Sequence, residues 1–356
     1  MVRTRLLTSS AFLVVAGLFT DSSLPRTELL ARPRHSTVVI SSDDHPRRQW
    51  LRGRWMRIGG VRGEYLVQPQ LLVAFGSTIF VFDDADRRLK AFSSAGQLLW
   101  SMGGPGAGPW EFKRPTDIET APNGDVWVAD PGNARISVIR SDGRPTRMIE
   151  MRSQTTRVIP LASGDFLGWP GGFRGRTQGP FFARYDAQGQ LVSGLPPPAE
   201  LEHASALAAE PVVMVGPTGD AAVAFRWSGT LMIVGSDGAV RATTVGVEPI
   251  PFPETKSYKI KDRGGRELLV FRTDPKATWA AYSVAAMQDR AVVLFRGRTE
   301  SAGRILDLYA LRTATYLGSM LVPEAASRIA AIGNDLAVLY GDTKPHVDVM
   351  RWHSRP

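Results

Sequence analysis

The chain has 356 residues, of which 43 are Lys or Arg and 34 Asp or Glu, for a formal net charge of +9; 35 are Gly, 25 Pro and none Cys. Without cysteine there are no disulfides, no thiolate nucleophile or thiolate metal site, and no lipid attachment through an N-terminal cysteine. The excess of positive charge can draw in anionic partners, although much of it reads as a solvated basic surface.

The N-terminus is a segment of its own. Arg3 and Arg5 precede an apolar run over 6–19. Fourteen helical residues would reach about 21 Å, short of the ~30 Å hydrocarbon core. A positive start and a short apolar core read as a secretory signal peptide over 1–20, with an uncleaved anchor as the alternative. Residues 21–48 read as a tether and 49–356 as one folded domain. In an exported chain the lack of cysteine points to a bacterial periplasmic, cell-surface or secreted product. Contact with a membrane is expected only through an uncleaved N-terminal segment.

From residue 50 onward short β-rich runs alternate with turn residues. Residues 50–58 form an orphan strand followed by Gly59-Gly60 and Gly63-Glu64-Tyr65. The same junction returns as Gly103-Gly104 and Gly108 with Glu111-Phe112. Between the two lie strands over 71–75, 77–83, 88–93 and 97–101. The next unit is the clearest. Strands over 116–120, 125–129, 135–140 and 146–151 are separated by Pro122-Asn123-Gly124, Asp130-Pro131-Gly132-Asn133 and Ser141-Asp142-Gly143, all strong turn signals. Weaker copies cover 157–195, 211–247 and 280–322, the last being the least regular. A sixth, 326–352, runs out of chain after three strands.

Gly108-Pro109-Trp110-Glu111-Phe112, Pro115 with Asp117-Ile118, Asn123 through Asp130, and Asn133 with Arg135-Ile136 together resemble one blade of an NHL-type β-propeller. The resemblance implies an all-β, six-bladed propeller of four-stranded antiparallel blades, of the TolB-like or gluconolactonase-like kind. The strand at about 50–58 then supplies the outer strand that the last blade lacks, which removes exposed sheet edges.

Propellers of this kind host lyases, lactonases, esterases and binding modules, so the site must decide the function. In relatives the Asp and Arg of the motif hold a blade together, which gives Asp130, Asn133 and Arg135 structural roles. Asp117 differs, because a blade's first strand lines the central channel. A carboxylate there can face water, bind a cation or act as acid or base.

Loops after each second strand open on the same face as the junctions between blades. In order, that face carries Asp83-Asp84, Asp130, Trp169 with Phe173-Arg174-Gly175-Arg176, Phe225-Arg226-Trp227, Phe295-Arg296-Gly297-Arg298 and Tyr340-Gly341-Asp342. One sector is acidic and the other sets arginines beside aromatics. Arginine forks suit carboxylates, sulfates and phosphates, and aromatic faces suit sugar rings. Arg226, Trp227, Arg296, Arg298, Trp169 and Arg174 are therefore the candidate ligand-binding residues, while Phe225 and Phe295 read as wedges between blades. Residues 248–279 exceed a standard blade and read as a surface hairpin, 257–261 with 267–271 around Gly264-Gly265.

Five scattered histidines, His35, His45, His203, His346 and His353, provide no metal-ligand spacing. The resemblance implies two alternatives for a pore metal, histidine-ligated in amidating lyases and Ca2+ held by Glu, Asn and Asp in gluconolactonase-like propellers. Only Asp117 answers to either. The leading expectation is a monomeric, exported, non-catalytic module without a cofactor. Its loop face would bind a protein or an anionic or carbohydrate ligand, and no nucleic acid. The alternative is a lactonase- or lyase-type enzyme with a divalent cation, Ca2+ for example, near Asp117.

Overall fold

The computed structural model describes residues 49–51, 53–60, 66–152, 154–170, 181–201, 209–248, 250, 253, 255–261, 265, 267–273, 277–296, 301–341 and 344–352. The expected signal segment 1–20 and tether 21–48 lie outside these residues.

The chain opens with β1 (Gln49–Trp50) and β2 (Arg54–Gly59), then lays down six sheets in sequence order. Blade one is β3 (Pro69–Phe75), β4 (Thr78–Asp83), β5 (Arg88–Ser93) and β6 (Leu98–Gly103). Blade two is β7 (Asp117–Thr120), β8 (Val126–Asp130), β9 (Arg135–Ile139) and β10 (Pro145–Glu150). Blade three is β11 (Arg157–Pro160), β12 (Phe166–Trp169), β13 (Phe182–Tyr185) and β14 (Leu191–Leu195). Blade four is β15 (Pro211–Val215), β16 (Ala221–Phe225), β17 (Leu231–Val234) and β18 (Val240–Thr244). A separate hairpin, β19 (Thr255–Lys261) and β20 (Glu267–Thr273), leads to blade five: β21 (Ala281–Ala286), β22 (Arg290–Phe295), β23 (Ile305–Ala310) and β24 (Tyr316–Leu321). Blade six has β25 (Arg328–Ile332), β26 (Asp335–Tyr340) and β27 (His346–Met350).

Each blade is an antiparallel meander with its first strand innermost. The six first strands touch in a ring, β3 against β7, β7 against β11, β11 against β15, β15 against β21, β21 against β25, and β25 back to β3. β2 pairs antiparallel with β27 and gives the last blade its fourth strand, so the ring is a six-bladed propeller closed by N-terminal residues. Blade five, the least regular in sequence, has all four strands paired antiparallel, with register shifts at Ala281/Ser283 and Leu308/Tyr309.

Two refinements concern the closing segment. Trp50, expected in the closing strand, lies instead in β1, which pairs parallel with β24 of blade five. The chain then crosses to blade six through Gly53, at φ 96°, a conformation that favours glycine. Leu51 anchors the crossing by donating its N–H to Leu321 O at 2.8 Å and burying its side chain among residues of blades five and six. The N-terminal segment thus fastens two blades.

Packing between blades is apolar and aromatic. Trp127 of blade two leans on Phe166 of blade three, which stacks on Tyr185. Phe225 and Phe295 are buried, as expected of wedges. Burying one such ring contributes roughly 1.5–3 kcal/mol.

The blade motif is structural. Asp130 accepts hydrogen bonds from the backbone N–H of Lys113, Arg114 and Gly132 and from Asn133 Nδ2. Arg135 donates to the carbonyls of Gly108 and Glu111; it holds the turn and forms no ion pair with Asp130. Asp83 does the same work in blade one, accepting from Val67 N, Gln68 N and Lys90 Nζ. Both carboxylates are fully buried, so the acidic sector expected on the loop face has lost these two members to the blade junctions.

Candidate functional site: a charged cavity at the mouth of the channel

The inner strands decide what lines the channel. Their side chains alternate, so Asp117 and Glu119 at i and i+2 share one face of β7. Arg157 and Arg328 open β11 and β25, the position Asp117 holds in β7. Glu210 precedes β15 and Arg226 follows β16. Apart from Glu119, which lies inside β7, these positions lie where blades join and second strands end, which puts the cluster on the loop face. Closing the ring brings Asp117, Glu119, Arg157, Arg226 and Arg328 to one cavity, lined also by Thr116, Tyr282 and Ser283 and by apolar Leu71, Leu72, Ile118, Val212, Val213 and Met214, with Glu210 joined to it through Arg157 and Arg226. It offers about 30 Å³ to the centres of water-sized atoms, space for about two waters or one small polar head group.

Arg157 is committed. It donates from Nε to Pro211 O at 2.9 Å, from Nη1 to Thr116 O and Thr156 O, and from Nη2 to Glu210 Oε1 at 2.9 Å. It ties blades two, three and four together. Arg226 is held differently. Its Nε lies 3.5 Å from Glu210 Oε1, its guanidinium carbon sits 4.5 Å from the centroid of the Trp279 indole, and Nε is buried without a hydrogen-bond partner among the described residues. Arg328 donates through Nη1 to Ser327 O at 2.8 Å and stands beside Arg226. Burial lowers the proton affinity of both arginines, and the positive charge of neighbouring guanidiniums lowers that of Arg328 further, to about 10.

The two acids line the same cavity. Asp117 Oδ2 accepts the Val158 N–H of blade three, and Glu119 Oε2 the Val215 N–H of blade four, at 2.9 and 2.8 Å. Burial pushes the Asp117 carboxyl up to about 7, against the pull of Arg157, the Val158 N–H and Arg328. Glu119 is raised well above the ordinary carboxyl range by burial and by the charge of Asp117. At neutral pH the pair retains protons.

The expected ligand-binding residues divide. Asp117 and Arg226 meet in the cavity. Arg226 is a buried group and not the exposed loop arginine its position in sequence indicates, because Trp279 from the following junction folds over it. Trp227 is also buried and packs edge-on against Trp279, a wall and not a free face. Arg296 is exposed at the rim, 5.0 Å from the Tyr282 ring and 5.9 Å from Trp279. Trp169 ends β12 and packs on the core shared by blades three and four, away from the cavity lining. Arg174 and Arg298 lie outside the described residues. Glu119, Arg157, Glu210, Tyr282 and Arg328 were not singled out from sequence.

No protein-family model matches the chain. Human NHL repeat-containing protein 3 is 29% identical over 153 residues, 41% of this chain and 37% of that protein. The chain thus spans little more than a third of that relative's length. Among solved structures, a Bacteroides fragilis protein described as exported superposes with a TM-score of 0.54 at 10% identity, covering 92% of this chain and all of that one. A DUF4221-family protein from Bacteroides vulgatus gives 0.51 at 9% identity, covering 83% and 96%. These structural likenesses establish the propeller architecture and no activity. No helix among the described residues is long and apolar enough to cross a membrane.

Proposed function

For a six-bladed propeller with NHL-like repeats, we propose the role of an exported, non-catalytic binding module that receives the acidic group of a ligand or protein partner in the cavity at the mouth of its channel. Arg226 carries this reading. A guanidinium removed from water is costly unless it is hydrogen-bonded, and among the described residues this one is held by stacking and a 3.5 Å ion pair, its Nε without a hydrogen-bond partner. Such an arrangement contributes little to stability. It keeps a rigid, partly desolvated fork ready for a carboxylate or similar oxyanion. Arg296, Tyr282 and Trp279 form an aromatic and cationic rim suited to the ring that bears the acid.

The alternative, a lactonase- or lyase-type enzyme, draws on the raised Asp117–Glu119 pair, since perturbed acids concentrate at functional sites. Its divalent cation would have to sit among Arg157, Arg226 and Arg328, whose charges repel it, and beside acids that hold protons. The charge balance favours the anion.

The discriminating experiment is thermal unfolding with acidic sugars, neutral sugars, divalent cations and chelator. The module predicts stabilisation by acidic sugars alone; a ligand at 100 times its Kd adds about 2.7 kcal/mol. Stabilisation by a divalent cation, reversed by chelator and lost in Asp117→Ala, would establish the enzyme reading instead.

A further inference from the structure

The charges around the cavity do not cancel in an arbitrary way. Three guanidiniums, Arg157, Arg226 and Arg328, meet three carboxyls, Asp117, Glu119 and Glu210. Arg157 and Glu210 satisfy one another at 2.9 Å. Arg226 shares that Glu210 oxygen at 3.5 Å, and it and Arg328 line the cavity with Asp117 and Glu119, two acids on one face of one strand, each with one oxygen tied to a backbone N–H of another blade. One proton held by either acid leaves one positive charge in the cavity without a counterpart. A single negative charge restores neutrality.

We infer that the site takes up its ligand as a monoanionic carboxylate together with a proton, binding the carboxylate to Arg226 and Arg328 only while the Asp117–Glu119 pair remains protonated. The inference rests on the proposed anion-binding role and gives it a ligand class and a pH dependence. When the pair loses its last proton, its charge neutralises the two arginines and repels the incoming carboxylate.

The neighbours of β7 supply no competing switch. β11 contributes Arg157, the end of β16 Arg226, β21 Tyr282 and β25 Arg328, and the approach to β15 adds Glu210 through its ion pairs with Arg157 and Arg226. β3 presents apolar Leu71 and Leu72. The charged group of β8 is Asp130, bound to its own junction loop. Burial holds the Tyr282 hydroxyl above its usual range, so it stays neutral throughout the range that matters.

The test is titration calorimetry of the full chain with glucuronate, and with glucose as the neutral control, at pH 6.0 and 8.5 in buffers of different ionisation heat. Glucuronate affinity should fall from pH 6.0 to pH 8.5 as the pair gives up its protons. The dependence on buffer heat should report net proton uptake at pH 8.5. Asp117→Asn keeps an oxygen for the Val158 N–H and should flatten the pH profile; the proton count on the unaltered protein stands if that variant does not fold. Glucuronate binding of equal strength at both pH values without proton uptake would overturn the coupling and leave the anion site standing. Absence of saturable glucuronate binding at either pH, or equal binding of glucose, would overturn both.

Discussion

Arg226 lies with its guanidinium carbon 4.5 Å from the ring centroid of Trp279, and the same indole packs edge-on against Trp227. Trp279 belongs to the junction between blades four and five, directly after the insertion that carries the hairpin β19–β20. An insertion on the loop face therefore supplies the wall that buries the arginine of blade four. Where a propeller without it would expose Arg226 to water, this one holds it at a fixed angle over the channel.

A guanidinium kept for binding should be dispensable for folding. Arg226→Met is expected to change stability by no more than about 1 kcal/mol, because Glu210 keeps Arg157 as its partner at 2.9 Å and is not left as an unpaired buried charge, while abolishing carboxylate binding. Urea unfolding and glucuronate titration of the same variant check this. A loss of several kcal/mol would mark Arg226 as a structural brace.

Asp130 should behave in the opposite way. It accepts four hydrogen bonds that fasten the 113–114 segment and the 132–133 turn. Asp130→Ala should cost about 3–5 kcal/mol and leave the carboxylate affinity of the folded fraction within a factor of about two. Chemical denaturation and titration at low temperature separate the two effects.

The raised Asp117 carboxyl makes a prediction about stability. Between the unfolded value near 3.8 and the folded value of about 7, the native state holds a proton that the unfolded state has released. Stability contributed by this site therefore falls as pH rises through that window, at up to about 1.4 kcal/mol per pH unit. Asp117→Asn, which cannot ionise, should be more stable than the unaltered protein at pH 8, and the difference should shrink to nothing towards pH 4. Melting temperatures of both proteins across pH 4–8 check the sign.

The closing strand also carries a measurable share of the fold. Ile58 in β2 is buried at 1% exposure, and Arg57 beside it makes a two-point ion pair with Asp348 of β27 at 2.6 and 2.7 Å. Ile58→Ala should cost about 2–5 kcal/mol and raise aggregation on heating, because releasing β2 exposes the edge of β27. Light scattering during thermal unfolding reports this.

Much of this architecture was legible in the residues themselves. The turn Asn123-Gly124-Asp125 needs a glycine at φ 86° packed on the Phe75 ring, and its repeats mark the blades. The recurring junction from Gly59 and from Gly103 reveals the composite last blade. β1 escaped notice because two residues pairing parallel carry no periodic signal. The site was half legible. Asp117 stood out through its motif, and Glu119 was readable from the period of two. Arg157 and Arg328 open otherwise apolar strands, where a charge normally reads as a solvated strand end. Only closure of the ring turns those ends towards one another. Arg226 was placed on the loop face from sequence, but its burial was not legible, since no local pattern says that Trp279 will cover it.

The most direct measurement is a crystal structure of the protein soaked with 4-bromobenzoate at pH 6, where anomalous scattering locates the bromine. The account predicts the carboxylate within hydrogen-bond distance of Arg226 and Arg328, with the bromine outward along Tyr282 and Trp279. A cavity holding only water or a metal ion, with the bromine elsewhere or absent, would contradict it.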